Sequence, residues 1–271
     1  MTSVHIPLTR DELTDHLRRT RIAGDVATPR ENNLRHYREL VEGNRRFWLG
    51  LELGERWSEE KVLAVMAERV GVVADPAHRE GQDTIDADLT VDGLDRMAEA
   101  LREAAARRAR VLVATGHPGG LLDVHQAVAR ALRAAGATVV AIPKGLSVGE
   151  GDDGTSGDVR QFGSVAVLER GATLWHTHAP QPMSAILDAL EAAGEPLPDL
   201  VVADHGWAGR AAQRGIKAVA FADCNDPALF LGEAEGTVAV TVPLDDHVVD
   251  PQSYEPMTAY LLAAAGLTAV R

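Results

Sequence analysis

Apolar residues recur at helical spacing through the first hundred positions and crowd into short β-branched runs after them. DELTDHLRRTRIA opens behind Thr9, with Glu12 at the spacing of a capping box. In RENNLRHYRELVEGNRRFWLGLEL, residues Leu34, Tyr37, Leu40 and Val41 share one helical face. SEEKVLAVMAERVG repeats the pattern, with Ser58 as cap and a stripe of Val62, Val65, Met66 and Val70. A polar loop, ADPAHREGQDTIDADLT, then leads into VDGLDRMAEALREAAARRA, a long amphipathic helix. No β-rich run stands out here, so residues 1–108 are predicted to be a helical region, a cap or subdomain.

From residue 110 the runs RVLVATG, ATVVAIP, SVAVLE, ATLWHT, DLVVAD, KAVAFAD and TVAVTVP appear, most alternating with alanine-rich helices. That alternation predicts βαβ units and a mainly parallel sheet buried on both faces. The expected fold is α/β: a Rossmann-like, three-layer domain over residues 109–271, with the helical region packed on it. SVAVLERGATLWHT has only a short turn between its runs and reads equally as an antiparallel hairpin. GLSVGEGDDGTSGDVRQ, spanning the 149–161 segment, reads as a surface loop, either a bare connection or a lid.

Composition narrows the partners. Of 271 residues 45% are hydrophobic, enough for a core, and 40 acidic against 27 basic residues give a net charge of −13. Nucleic acid and anionic membrane surfaces would be repelled, whereas a small anionic substrate can still meet a locally positive site. Cys224 is the single cysteine, which excludes an intrachain disulfide. The first residues lack the basic-then-apolar order of a signal peptide, and no apolar run reaches the roughly 18 residues of a membrane span. A cytoplasmic location is expected, and homo-oligomerisation is left open.

Ligands of open α/β sheets bind beyond the carboxyl ends of the strands, so the residues that follow each strand are the candidates. After the first strand comes Gly116-His117-Pro118-Gly119-Gly120, with Pro118 suited to the first position of a helix. Such a turn offers backbone N–H groups to an anion, or is simply tight. It matches neither the dinucleotide fingerprint nor the P-loop. Asp123 and His125, just beyond, read as surface residues. Lys144 ends the second strand and either meets a phosphate or is solvated. His176 and His178 alternate on one face, as metal ligands, substrate contacts or hydrogen-bonded histidines.

Two consecutive strands end in aspartate: Asp204-His205-Gly206 and Asp223-Cys224-Asn225-Asp226-Pro227. Adjacent strands lie about 4.8 Å apart, and two close carboxylates repel unless a cation or proton separates them. Oxygen ligands with an amide suit Mg²⁺ or Mn²⁺. Asp226 precedes proline and reads as a helix cap, while Asp223 and Asn225 are freer; Asp204 is a ligand or a cap. The last strand runs into Asp245-Asp246-His247. Cys224, among carboxylates, is a poor nucleophile. TRIAGDVATPRENN gathers Arg21, Asp25, Thr28, Arg30, Glu31, Asn32 and Asn33, facing an anionic substrate or serving as surface and capping residues.

ATGHPGGLLDVHQA, VVADHGWAG, FADCNDPALF and VPLDDHVV, with RIAGDVATPRENNLRHY, resemble an actinobacterial family labelled phosphatase, from about Asp11 to Leu262. More distantly the chain is similar to the metal-dependent damage-control phosphatases. That resemblance implies a helical N-terminal region joined to a Rossmann-like domain. It also implies a divalent cation held by an Asp-Asn pair and a further aspartate, here matched by Asp204 and Asp223. His205 stands where asparagine is expected, and an imidazole would shift preference toward later transition metals.

The expectation is therefore a hydrolase that removes phosphate from a small metabolite through metal-activated water. Asp204, Asp223 and Asn225 are the expected metal ligands, and Asp204, His205 and His117 the catalytic groups. Gly116, Gly119, Gly120, Lys144, His176, His178, Asp246, Arg30 and Asn33 are expected to contact the substrate. The alternative is a non-catalytic nucleotide or sugar-phosphate binder. A nicotinamide-linked oxidoreductase ranks third: Lys144 would suit a 2′-phosphate, but the fingerprint is absent.

Overall fold

The computed structural model describes residues 7–54, 56–150, 154–248 and 250–268. The N-terminal part contains α1 (Arg10–Thr20), β1 (Gly24–Pro29), α2 (Arg30–Val41), α3 (Glu59–Arg69), β2 (Gln82–Ile85) and α4 (Ala87–Ala106). There follow β3 (Arg110–Val113), α5 (Pro118–Ala134), β4 (Thr138–Val139), β5 (Leu146–Val148), β6 (Gly157–Phe162), β7 (Val165–Arg170) and β8 (Thr173–Leu174). The chain ends with α6 (Gln181–Ala192), β9 (Leu200–Asp204), α7 (His205–Gln213), β10 (Lys217–Ala222), α8 (Pro227–Ala234), β11 (Val240–Pro243) and α9 (Glu255–Ala264). None of the described helices is long and apolar enough to cross a membrane.

The fold is mixed α/β around a five-stranded, all-parallel sheet in the order β11-β10-β9-β3-β4. Counted along the chain within this sheet, the order is 2-1-3-4-5, which is common among doubly wound sheets. It reverses direction between β3 and β9, and a crevice opens there at the carboxyl edge. The central strands are apolar throughout, as burial on both faces requires: Val111–Val113 and Leu200–Ala203 are 0–2% exposed. Helices α4, α5 and α9 pack together over one face, and α6, α7 and α8 over the other. Gly93 of α4 lets that helix approach closely, since a Cβ there would lie 3.1 Å from Val242 Cα. One continuous core runs from Leu13 through Met97 and Val202 to Leu262, joining the N-terminal part to the sheet.

Three expectations change. First, the N-terminal part contains an antiparallel strand pair, β1 with β2, with Gly24 opposite Ile85 and Asp25 opposite Thr84. Its inward positions include Thr28 and Asp83, both buried, so the alternation that marks a strand is partly written in polar residues. Second, the helix predicted over RENNLRHYRELVEGNRRFWLGLEL stops at Val41. Gly43 at φ +89° turns the chain away into a short 3₁₀ turn at Arg45–Trp48.

Third, the 149–161 segment is not a bare loop. Its described residues help to build an antiparallel sheet, β5-β6-β7-β8, in which Arg160 faces Val167 and Phe162 faces Val165. Only Val159 of β6 is buried, so the strand carries too little apolar signal to be seen in the sequence. Residues 151–153, the centre of the segment read as a lid, lie outside the described residues. The β7–β8 pair is the antiparallel hairpin expected as an alternative.

Candidate active site

Four strand ends of the parallel sheet and the coil after β8 bring their polar residues to one place. β3 runs into Thr115-Gly116-His117, β9 into Asp204-His205, β10 into the Asp223–Asp226 turn and β11 into Asp245-Asp246-His247. The coil after β8 brings His176 and His178. The N-terminal part closes over this edge from above the strands: the Thr28 hydroxyl donates to Asp223 Oδ2 (2.7 Å) and the Ala27 N–H to Asp245 Oδ2 (2.8 Å).

His205 lies at the centre, 1% exposed. Its Nδ1 is 2.8 Å from Asp226 Oδ2 and its Nε2 is 3.1 Å from Asp246 Oδ2. His178 stacks on the same ring at 3.8 Å and places its own Nδ1 3.3 Å from Asp226 Oδ1. The backbone of His205 is left-handed, φ +43°, a strained conformation for a residue with a Cβ and one that concentrates at functional sites. Burial acts to lower the pKa of His205, but Asp226 and Asp246 together outweigh it and hold the imidazolium well above the usual histidine range. Burial likewise acts to raise Asp226, and His178 with His205 overturns it, so that carboxylate stays ionised.

Asp246 joins this pair to a second group. His117 Nδ1 lies 3.2 Å from its Oδ2 and His247 Nδ1 3.1 Å from its Oδ1. Asp223, Asp245, Asp246 and His247 form a cluster whose nearest ligand atoms all lie within 4.8 Å of one another. All three carboxylates are about 1% exposed or less. Burial drives Asp223 up to about 6, with His247 opposing and Asp246 and Asp245 adding to the rise. His247, against Asp223, Asp245 and Asp246, is pushed up to about 12. Three buried carboxylates thus lean on one half-exposed imidazolium. His176, desolvated and beside His117, His178 and His205, goes the other way, down to about 3, and is neutral.

The donor set fits a divalent cation. Both oxygens of Asp246, His117 Nδ1 and His205 Nε2 are buried without a hydrogen bond of proper geometry, although they lie within 3.2 Å of one another in pairs. Buried polar atoms that converge yet do not bond to each other are placed for a shared third partner. The Asp223–Asp245–Asp246–His247 group is oxygen-rich and suits Mg²⁺ or Mn²⁺, whereas the His117–His176–His205 group suits later transition metals.

Several residues singled out in the sequence stand elsewhere. Asp204 shares no group of converging ligand atoms with Asp223 among the described residues. Its oxygens turn to β3, accepting from the Thr115 hydroxyl (2.5 Å) and the Gly116 N–H (2.7 Å), with His125 Nε2 3.8 Å away. His125 is therefore fully buried and not a surface residue; Asp123 is exposed. The N–H groups of Gly116 and His117 are both engaged within the protein, the latter by Thr115 Oγ1 at 2.9 Å. A Cβ on Gly116 would meet Thr177 O at 2.2 Å, and one on Gly120 would meet Asp246 O at 2.7 Å. These two glycines allow close packing rather than an open anion cradle; Gly119 remains exposed.

Arg30 and Asn33 do not reach a substrate either, because both are 0% exposed and bind Asp83 Oδ2 at 2.9 Å. Lys144 is exposed. Asn225 is buried with a free Oδ1. Cys224 is buried and burial, then Asp223, pushes its thiol up, as its acidic neighbours imply. Asp226, which its proline suggests to be a helix cap, makes no side-chain cap bond and serves His178 and His205 instead. Its signal was the number of histidines near other strand ends, each in need of an acceptor.

The fold and this centre define a mixed α/β protein with a histidine–aspartate cluster at the switch point of its parallel sheet. The family described as Phosphatase matches residues 8–269, and the chain belongs to that family. It is 68% identical over 259 residues to Phosphatase SCO2771 of Streptomyces coelicolor, an alignment that covers 95% of this chain and 97% of that protein. The relative comes from an actinobacterium, in keeping with the resemblance drawn from the sequence.

Proposed function

We propose that this protein is a metal-dependent phosphatase that releases phosphate from a small phosphorylated metabolite by direct attack of water. In this reading residues 109–271 are a Rossmann-like domain, and residues 1–108 a cap that fastens onto the site through Ala27 and Thr28. The observation that carries it is the convergence of the buried Asp223, Asp245 and Asp246 with the half-exposed His247, in a member of the Phosphatase family. A divalent cation bound there would polarise the phosphoryl oxygens and lower the pKa of a bound water.

The remaining roles belong to the chain. Asp226 holds the ring of His205 at Nδ1, and so sets Nε2 3.1 Å from Asp246. His176, neutral and lining the adjoining cavity, is placed to hydrogen-bond the substrate through a ring nitrogen. His117, 4.2 Å from His176 between ring centres, orients the phosphoryl group. The cluster holds no activated serine, and Cys224 is buried with a raised pKa, which disfavours a covalent intermediate on serine or cysteine. Asp204 supports the site by holding the Thr115–Gly116 turn.

The test is the metal content of the purified protein together with phosphate release from p-nitrophenyl phosphate. Release should stop on chelation and return with Mn²⁺ or Mg²⁺. A protein that binds no divalent cation, or whose phosphate release ignores chelator, defeats the proposal.

A further inference from the structure

Several basic side chains on this acidic protein are paired with carboxylates. Arg10, Arg18, Arg38, Arg45 and Arg214 each lie within 4.0 Å of a carboxylate. Among the described residues Arg35, Arg46 and Arg170 have no carboxylate partner: Arg35 touches only Asn32 Oδ1 and His36 Nε2, and Arg170 lies 5.2 Å from the Trp175 ring. These three line one cavity of about 470 Å³ together with Trp175, His178 and Asp226. The last two belong to the histidine–aspartate centre, so the cavity and the centre share a wall.

This volume is of small-metabolite size. Trp175, 41% exposed, gives it an apolar side for a carbon skeleton. Asp226 is already paired with His205 and His178, which leaves the arginines as the unpaired charge among the described residues of the cavity. A guanidinium forms paired, charge-assisted hydrogen bonds with a carboxylate or a phosphate. Anything bound here with its phosphoryl group at the histidines would set its other end among the arginines.

We propose that the substrate is a phosphate ester carrying a second anionic group, and that Arg35, Arg46 and Arg170 bind that group. This rests on the reading of the centre as a phosphatase site, and the experiment separates the two. Equilibrium binding of methyl phosphate, phosphoglycolate and 6-phosphogluconate is measured calorimetrically, the last two pairing a phosphate with a carboxylate over a short and a long spacer. All three arginines are exposed, so the Arg46→Gln/Arg170→Gln variant should fold, which its melting curve checks.

The expected result is that at least one two-anion ligand binds at least about tenfold more tightly than methyl phosphate. The double variant should erase that preference while changing the affinity for methyl phosphate by less than about threefold. Equal affinity for all three ligands, no binding of either two-anion ligand, or a uniform loss in the variant overturns the proposal. A two-anion preference without hydrolysis of any ester would defeat the phosphatase reading alone. Hydrolysis of p-nitrophenyl phosphate without that preference would defeat the arginine subsite alone.

Discussion

Asp226→Asn discriminates between two roles for one residue, since asparagine and aspartate are about equally good helix caps. If Asp226 served to cap α8, the change would be silent. In the structure it instead faces His205 at 2.8 Å and His178 at 3.3 Å, and both contacts would pass from a charged acceptor to a neutral amide. A hydrogen bond to a charged group contributes about 1.5–3 kcal/mol and a neutral one about 0.5–1.5. The loss is about 1 kcal/mol per contact, or about 2 kcal/mol in all, a factor of about 30 in an equilibrium constant. That falls within the roughly 10–100-fold range for groups that orient metal ligands. The assay is calorimetric titration of the chelator-stripped variant with Mn²⁺, beside phosphate release at saturating metal. Mn²⁺ affinity within twofold of the parent protein would refute the claim that Asp226 positions His205 against Asp246.

Arg30→Met leaves Asp83 buried without its counter-charge, and should lower unfolding stability by about 3–5 kcal/mol in urea denaturation; a loss under about 1 kcal/mol would contradict the buried pair. Gly116→Ala drives a Cβ against Thr177 O and should cost about 1–3 kcal/mol by overpacking. Gly119→Ala, with nothing within 4 Å, is the matched control, and equal melting temperatures for the two variants would argue against the packing role of Gly116.

The parallel sheet was legible because its strands are buried on both faces, so LVVA and AVAFA read as unbroken apolar runs. β1 and β2 were not, because their inward positions include Thr28 and Asp83, whose burial is compensated by partners elsewhere in the chain. The same reason hid the role of Arg30. An arginine after a proline in a polar stretch has the sequence signature of a surface cation, and only the strand pair that brings Asp83 to it makes its burial tolerable.

The pairing of Asp204 with Asp223 shows what strand-end logic can and cannot deliver. The strands are neighbours, as supposed, and Asp204 stands opposite Phe221 in the ladder. Alternation then puts Asp223, two residues on, on the same side of the sheet. But β10 ends at Ala222, so Asp223 already lies outside the ladder that would fix its direction. Each carboxylate turns to the nearest donor: Asp204 to Thr115 and Gly116 at the end of β3, Asp223 to Thr28 on β1. Those donors come from segments about 90 and 195 residues away, and local pattern carries no information about them. Proximity at a sheet edge therefore follows from strand order, whereas partnership follows from the hydrogen-bond donors that the rest of the fold brings to each strand end. The Asp245–His247 run obtains its place in the centre in this second way, with the Ala27 N–H fixing the side chain of Asp245 and the Tyr254 hydroxyl its backbone carbonyl.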